Sequence, residues 1–374
     1  MLNILANIWP FCTKKNTKNT NRKKLLLVRL DEIGDYVLFR NFIEILKTSE
    51  QYKDYHFTLL GNDLWKDLAE TFDKDYIDEF IWLKKKRFFR QKFYRKNFLK
   101  KISKQEFDVV ISPVFSRESR CESVISAINA REKIGSVGDC SNITAMQKSF
   151  NNNFYTKLID ASKDNMFEFY RNKEFFENLL GLKLNINKTF INTQKVNSNF
   201  SLPDDYVVIF PGAGARFRQW NTENYSRVID YIVQIFNLYV VVAGSCRDKK
   251  LSKQIISGVK QKKVIDITGK TSLSQLALIL SKSKLLISSD TGPYHIALAT
   301  GTRVLCLSNG NTFGRFVPYP AEVSSNVFYV FSEEIQNNIQ DFNFLNKNFR
   351  FASTLDINNI KVDDVCKLVS SILE

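Results

Sequence analysis

Short apolar runs recur along this chain, each broken by a glycine or an acid and followed by apolar positions at helical spacing. The run Lys24 to Leu30 predicts a buried strand. Asp31 to Asp35 is the turn after it, and Val37, Leu38, Phe42, Ile45 and Leu46 then follow as one helical face. The same alternation predicts a strand over 57–60, a helix over 62–72, strands over 77–83 and 108–112, and helices over 120–129 and 164–180. Strands alternating with helices point to parallel βαβ units. The stretch 183–199 is polar, rich in Asn and Lys, and ends just before Pro203, so the linker is expected there.

A second series begins after it. Strands are predicted over 206–210, 238–243, 264–267, 284–287 and 304–307, with helices over 222–236 and 272–281 and from Pro293 to Ala299. A long irregular stretch holding Pro318 and Pro320 follows. The closing helix carries Ile360, Val362, Val365, Leu368, Val369 and Ile372 as an apolar stripe, read as core. The expected organisation is an N-terminal arm over 1–23, a first α/β domain over 24–199 and a second over 200–374.

A chain of 374 residues is long enough for two cores, and its 44% apolar and 25% charged content is that of a globular protein. The six cysteines form no C-x-x-C pair or Cys/His cluster, which fits a reducing, cytoplasmic setting and argues against zinc and disulfide scaffolds. The net charge of +15 points to an anionic partner: nucleic acid, membrane surface or phosphorylated substrate. The opening MLNILANIWPF has too short an apolar run for a spanning helix, and with the lysines after it reads as a floppy arm or a contact with an anionic membrane. The segment Lys84 to Lys104 holds eleven basic residues and no acid, with Tyr94, Phe98 and Ile102 on one helical face; it reads as a solvated basic helix or a surface for anionic lipid or substrate.

Three turns of the second half lie at carboxyl ends of predicted parallel strands, where open α/β sheets place their ligands. They are Gly212 to Arg218, including Gly214, then Gly269, and Asp290-Thr291-Gly292. Glycine lets backbone approach a ligand, a helix start offers unpaired N–H groups, and Arg218 can pair bidentately with phosphate oxygens. A nucleotide diphosphate is the economical ligand, although an ordinary strand-turn-helix joint is the plain alternative for the Asp290 turn. His295 lies one turn into the helix that follows and is a site candidate; His56, in a strand, reads as structural. Neither a G-x-x-x-x-G-K loop nor G-x-G-x-x-G is present, which weighs against NTP hydrolysis and hydride transfer. No acidic cluster is spaced for Mg²⁺, so Arg218, Thr291 and the helix start would have to compensate a leaving diphosphate. Gly34 and Asp35 sit at the equivalent joint of the first half, so Asp35 faces the same cleft as a candidate general base for in-line displacement by a hydroxyl.

These residues resemble glycosyltransferase family 9, the ADP-heptose:lipopolysaccharide heptosyltransferases. The likeness rests on LLLVRLDEIGDYVLFRNFIEIL, FPGAGARFRQWNTENYSRVID and ITGKTSLSQLALILSKSKLLISSDTGPYHIALATGTRVLCLSNG in the family's order. It implies the GT-B fold of two facing Rossmann-like domains, an inverting, metal-independent transfer of a sugar from ADP-heptose, and no cofactor beyond that donor substrate. It implies Asp35 as catalytic base and Asp290, Thr291, Gly292, His295 and Gly214 at the donor diphosphate. Arg218 stands where the family usually has lysine and Asn221 where it has proline, and Ser308-Asn309-Gly310 replaces an aromatic-Gly-Pro. Asp248 is a candidate for the ribose, and Arg117 and Arg120 for an anionic glycan or glycolipid acceptor at the inner face of the cytoplasmic membrane. The alternatives are a GT-B transferase or epimerase using another nucleotide sugar, an inactive family member that only binds, and a basic nucleic-acid-binding protein, which no recognisable motif supports.

Overall fold

The structure, a computed structural model, describes residues 22–197 and 200–374. The arm expected over 1–23 thus falls almost wholly outside the described residues. Among the described residues twelve strands form two six-stranded sheets, every neighbouring pair parallel. The first contains β1 (Lys24–Arg29), β2 (His56–Asn62), β3 (Glu79–Leu83), β4 (Glu106–Ser112), β5 (Asn129–Ser136) and β6 (Lys157–Ile159), in the order β3-β2-β1-β4-β5-β6. The second contains β7 (Tyr206–Phe210), β8 (Tyr239–Val242), β9 (Val264–Asp266), β10 (Leu285–Ser289), β11 (Val304–Ser308) and β12 (Val327–Phe331), in the order β12-β11-β10-β7-β8-β9. Each is the doubly wound order, with the chain reversing direction beside its first strand.

The central strands are buried on both faces, which is why their sequences read as unbroken apolar runs. Each sheet is covered on both sides by helices. One apolar cluster continues from the inner face of the first sheet, through Val37, Phe42 and Trp65, to Leu276, Tyr294 and Ile296 under the second. The helices Ile33–Phe39 and Gly292–Ala299 pack against each other across this joint, as do Lys66–Phe72 and Leu273–Lys282. The last helix, Val362–Leu373, buries its stripe on the outer face of the second sheet beside Val228 and Ile232.

Three strands differ from the sequence expectation. β5 and β6 occupy a region where no strand is predicted, and the helix expected over 120–129 ends at Ala127 so that β5 can begin at Asn129. Both lie toward one side of the sheet with half-exposed polar residues, so they lack an apolar run. β12 lies inside the stretch read as irregular and is the edge of its sheet. The basic segment forms two helices, Lys85–Arg90 and Lys92–Ile102. Its Phe98 and Ile102 are buried, and the Tyr94 hydroxyl accepts from the Lys84 backbone N–H at 3.0 Å, so this aromatic face is core and the lysines point outward.

Candidate active site

β1 ends at Arg29 and its polypeptide turns through Asp31 and Glu32 into the helix Ile33–Phe39, with Gly34 and Asp35 in its first turn. β10 ends at Ser289 and turns through Asp290 and Thr291 into the helix Gly292–Ala299. The two helix starts meet head to head. A Cβ on Gly34 would lie 2.6 Å from Cδ2 of His295, and one on Gly292 would lie 2.8 Å from Cγ2 of Ile33. Both glycines therefore serve the approach of one helix to the other. The side of each that a Cβ would occupy is filled by a side chain from the opposite half.

His295 is buried, 3% exposed, and its Nδ1 shares a hydrogen bond with the Tyr319 hydroxyl at 2.8 Å. Its Nε2 lies 3.5 Å from Oδ1 of Asp290. The Asp290 carboxylate is itself buried, with Arg218 Nη1 at 3.8 Å from Oδ2 and donating to the Asp290 carbonyl at 2.8 Å. Asp290 and His295 thus hold each other and Arg218 in place. Buried charge is kept only when paired in this way. The Arg218 guanidinium stays a quarter exposed, and its Nη2 lies near Gly214. Thr291 is the N-cap of the eight-residue helix, its hydroxyl 3.2 Å from that of Ser288.

β8 and β9 extend the same edge. The Asp248 carboxylate lies over Gly212, where a Cβ would sit 2.7 Å from it, and its Oδ2 accepts from Ser245 N at 2.7 Å and Ser245 Oγ at 2.6 Å. Gly269 has φ of +70°, a conformation that favours glycine, and its N–H donates to the Gly244 carbonyl at 2.8 Å. β10, β7, β8 and β9 are adjacent in the sheet, so the turns bearing Asp290, Arg218, Asp248 and Gly269 form one row facing the first domain.

Asp35 sits across the cleft from this row, part of its surface open and the rest ringed by protein. Burial pushes its carboxyl pKa up to about 7, the neighbouring Asp31 and Glu168 charges push the same way, and Arg29 and Arg315 oppose them. Those neighbours form a chain of ion pairs between the halves. Arg315 Nε lies 3.0 Å from Glu168 Oε2, Glu168 Oε1 lies 3.3 Å from Arg29 Nη2, and that nitrogen lies 3.0 Å from Asp31 Oδ2. Asn172 Oδ1 accepts from Arg29 at 3.0 Å. Sequence reasoning missed Arg315, Glu168, Arg29 and Asp31. The irregular stretch holding Pro318 and Pro320 was the one available signal for Arg315; nothing local marks Glu168.

Beside Asp35 opens a cavity of about 240 Å³, walled mostly by the first domain and closed on one side by Arg315 and Phe316 of the second. Arg117 lines it but is 1% exposed. Its guanidinium is committed to Glu122 at 3.4 Å, the Val137 carbonyl at 3.2 Å and Asn152 Oδ1 at 2.5 Å, so it braces the wall rather than presenting a free cation. Arg120 is exposed, donates to the Phe89 carbonyl at 3.1 Å and stacks over that ring, tying the neighbouring helix to the basic segment.

A model of glycosyltransferase family 9 (heptosyltransferase) matches residues 95–341, about two thirds of the chain. Lipopolysaccharide heptosyltransferase 3 of Escherichia coli K12 is 34% identical over 105 residues, which is 28% of this chain and 30% of that protein. The lipopolysaccharide core heptosyltransferase OpsX of Haemophilus influenzae is 31% identical over 131 residues, 35% of this chain and 37% of that one. The aligned stretch thus spans about a third of these relatives. Among solved structures, a glycosyltransferase family 9 protein of Veillonella parvula superposes with a TM-score of 0.69 at 21% identity, covering 96% of this chain and 99% of that one. E. coli heptosyltransferase WaaC with ADP gives 0.68 at 15% identity, covering 93% and 99%. The two facing sheets and these superpositions show the GT-B fold, and the extent of the family match establishes that this chain belongs to glycosyltransferase family 9, the heptosyltransferases.

Proposed function

We propose that the protein transfers a heptose from ADP-heptose to a hydroxyl of a lipopolysaccharide core or related surface glycan, with inversion and without a metal. The observation that carries this reading is Asp35: a carboxyl with a pKa near 7, at the carboxyl end of β1, opposite the Arg218 and Asp290–Gly292 turns. A base poised near neutral pH can take the acceptor's hydroxyl proton as the oxygen attacks the anomeric carbon. The new C–O bond forms on the face opposite the breaking bond to diphosphate, so the sugar inverts and ADP leaves. Arg218 and the N–H groups at the start of Gly292–Ala299 meet the developing charge on the diphosphate. Asp248 and Gly269 would flank the nucleoside, and the cavity beside Asp35 would take the acceptor.

In this reading residues 24–199 form the acceptor-side domain and 200–374 the donor-side domain, acting at the cytoplasmic face of the membrane. The first experiment is calorimetric titration with ADP, UDP, GDP and dTDP, each with and without Mg²⁺. Selective ADP binding, unchanged by Mg²⁺ and weakened in Arg218→Ala, supports the reading; preference for another nucleotide replaces the donor. Transfer abolished by EDTA and restored by a divalent ion would refute metal independence.

A further inference from the structure

We infer that the outer helical layer of the first domain, centred on the helix Lys92–Ile102, is a docking surface for a bilayer rich in anionic phospholipid. On this helix Lys92, Lys96 and Lys100 are exposed at four-residue spacing, and the exposed Phe93 and Lys101 each follow one of them, so together they cover the outward half of the helix. The opposite stripe, with Phe98 and Ile102, is buried in the core. Among the described residues none of these four lysines lies within ion-pairing distance of a carboxylate, whereas Lys85, at the inner end of the segment, is held by Glu32 at 3.1 Å and Glu118 at 3.5 Å. Free cations on one face are the complement of a negatively charged lipid surface.

An apolar component accompanies the charge. Phe93 is 78% exposed in the middle of the lysines. The helix Ser119–Ala127 packs beside Lys92–Ile102 in one apolar layer on the first sheet, and Ala145–Asn152 packs beside Ser119–Ala127. Ala145–Asn152 presents Met146 and Phe150, four apart, at 83% and 64% exposure. A purely solvated basic face has no use for exposed rings; a face that enters the headgroup region does, because apolar tips insert while lysines meet phosphates. No helix among the described residues is long and apolar enough to cross a membrane. The surface adjoins the acceptor cavity through Lys85, which lines it, and through Arg120 stacked on Phe89, so a lipid-borne acceptor would reach the cavity from the docked face.

The test is co-sedimentation with vesicles of phosphatidylcholine alone and of phosphatidylcholine mixed with phosphatidylglycerol, alongside titration with poly(U). A lysine near an anionic surface is worth about fivefold in binding. The variant Lys92→Gln with Lys96→Gln should therefore bind the mixed vesicles about thirtyfold more weakly, and Phe93→Ser should weaken the binding that survives at high salt. Melting temperature and far-ultraviolet circular dichroism should be the same in all three proteins, which shows that each is folded and keeps this test separate from the donor assignment. Equal binding to both kinds of vesicle, undiminished binding by the double variant, or tighter binding of poly(U) than of mixed vesicles would overturn the proposal.

Discussion

At the scale of single residues the proposed chemistry turns on what surrounds Asp35. Its folded pKa of about 7 lies above the ordinary 3.8, so the folded state holds that proton more tightly than the unfolded one. The native state therefore loses stability as pH rises from about 4 through about 7, and Asp35→Asn should raise the melting temperature at pH 8 more than at pH 5. An equal shift at both would contradict the raised pKa. The same substitution should cut turnover at least about a hundredfold while leaving ADP binding intact, as loss of a general base does; single-turnover assays and calorimetry on one preparation check both halves. In the active protein kcat/KM should fall below about pH 7 as Asp35 takes up its proton. Removing the Asp31 charge in Asp31→Asn should move that limb to lower pH, and removing the Arg315 charge in Arg315→Met should move it higher. A limb that stays put in both variants would show that another group sets it.

Elements meet at this site through two helix starts that have no room for a side chain. An alanine at a helical glycine position is ordinarily favourable by up to about 1 kcal/mol. Here the added methyl of Gly34→Ala would run into a His295 ring fixed by Tyr319 and Asp290, so it cannot turn aside cheaply. We expect Gly34→Ala to destabilise by about 1–3 kcal/mol, the usual scale for overpacking, and to slow transfer by moving Asp35 relative to the Asp290 turn. Denaturant unfolding measures the first effect and steady-state kinetics the second; a variant more stable than the parent would mean the helices can part without cost.

The whole molecule is bound together by burial that crosses its midline. The apolar cluster runs from one sheet to the other, and the Arg29–Glu168–Arg315 chain and the Ser274 N–H donating to Asp67 at 2.6 Å span the same joint. Neither half can leave without exposing that surface, so calorimetry and near-ultraviolet circular dichroism should report one coincident unfolding transition. Two resolved transitions would show the halves to be independent.

The sequence by itself determined the strand-and-turn grammar. Apolar runs of four to seven residues that alternate with helical patterns read as buried parallel strands, and glycines or acids after them mark the carboxyl edge, so Asp35, Arg218, Asp248, Gly269 and Asp290 were legible as edge residues. It did not determine β5 or β6, because strands half open to solvent need no apolar run; β12 does carry one, VFYVF, but it stands alone in a stretch with no alternating helix pattern beside it. It was equally silent on partnership. Arg315 and Glu168 stand 147 residues apart, and no local pattern records that a buried guanidinium has found its carboxylate. The same limit hid the roles of Gly34 and Gly292, whose missing side chains make room for a helix, and of Arg117, whose charge is spent inside the wall. Periodicity is a property of neighbours along the chain, so it fixes the elements; pairing, burial of charge and the pKa of Asp35 depend on what the fold brings together from far apart.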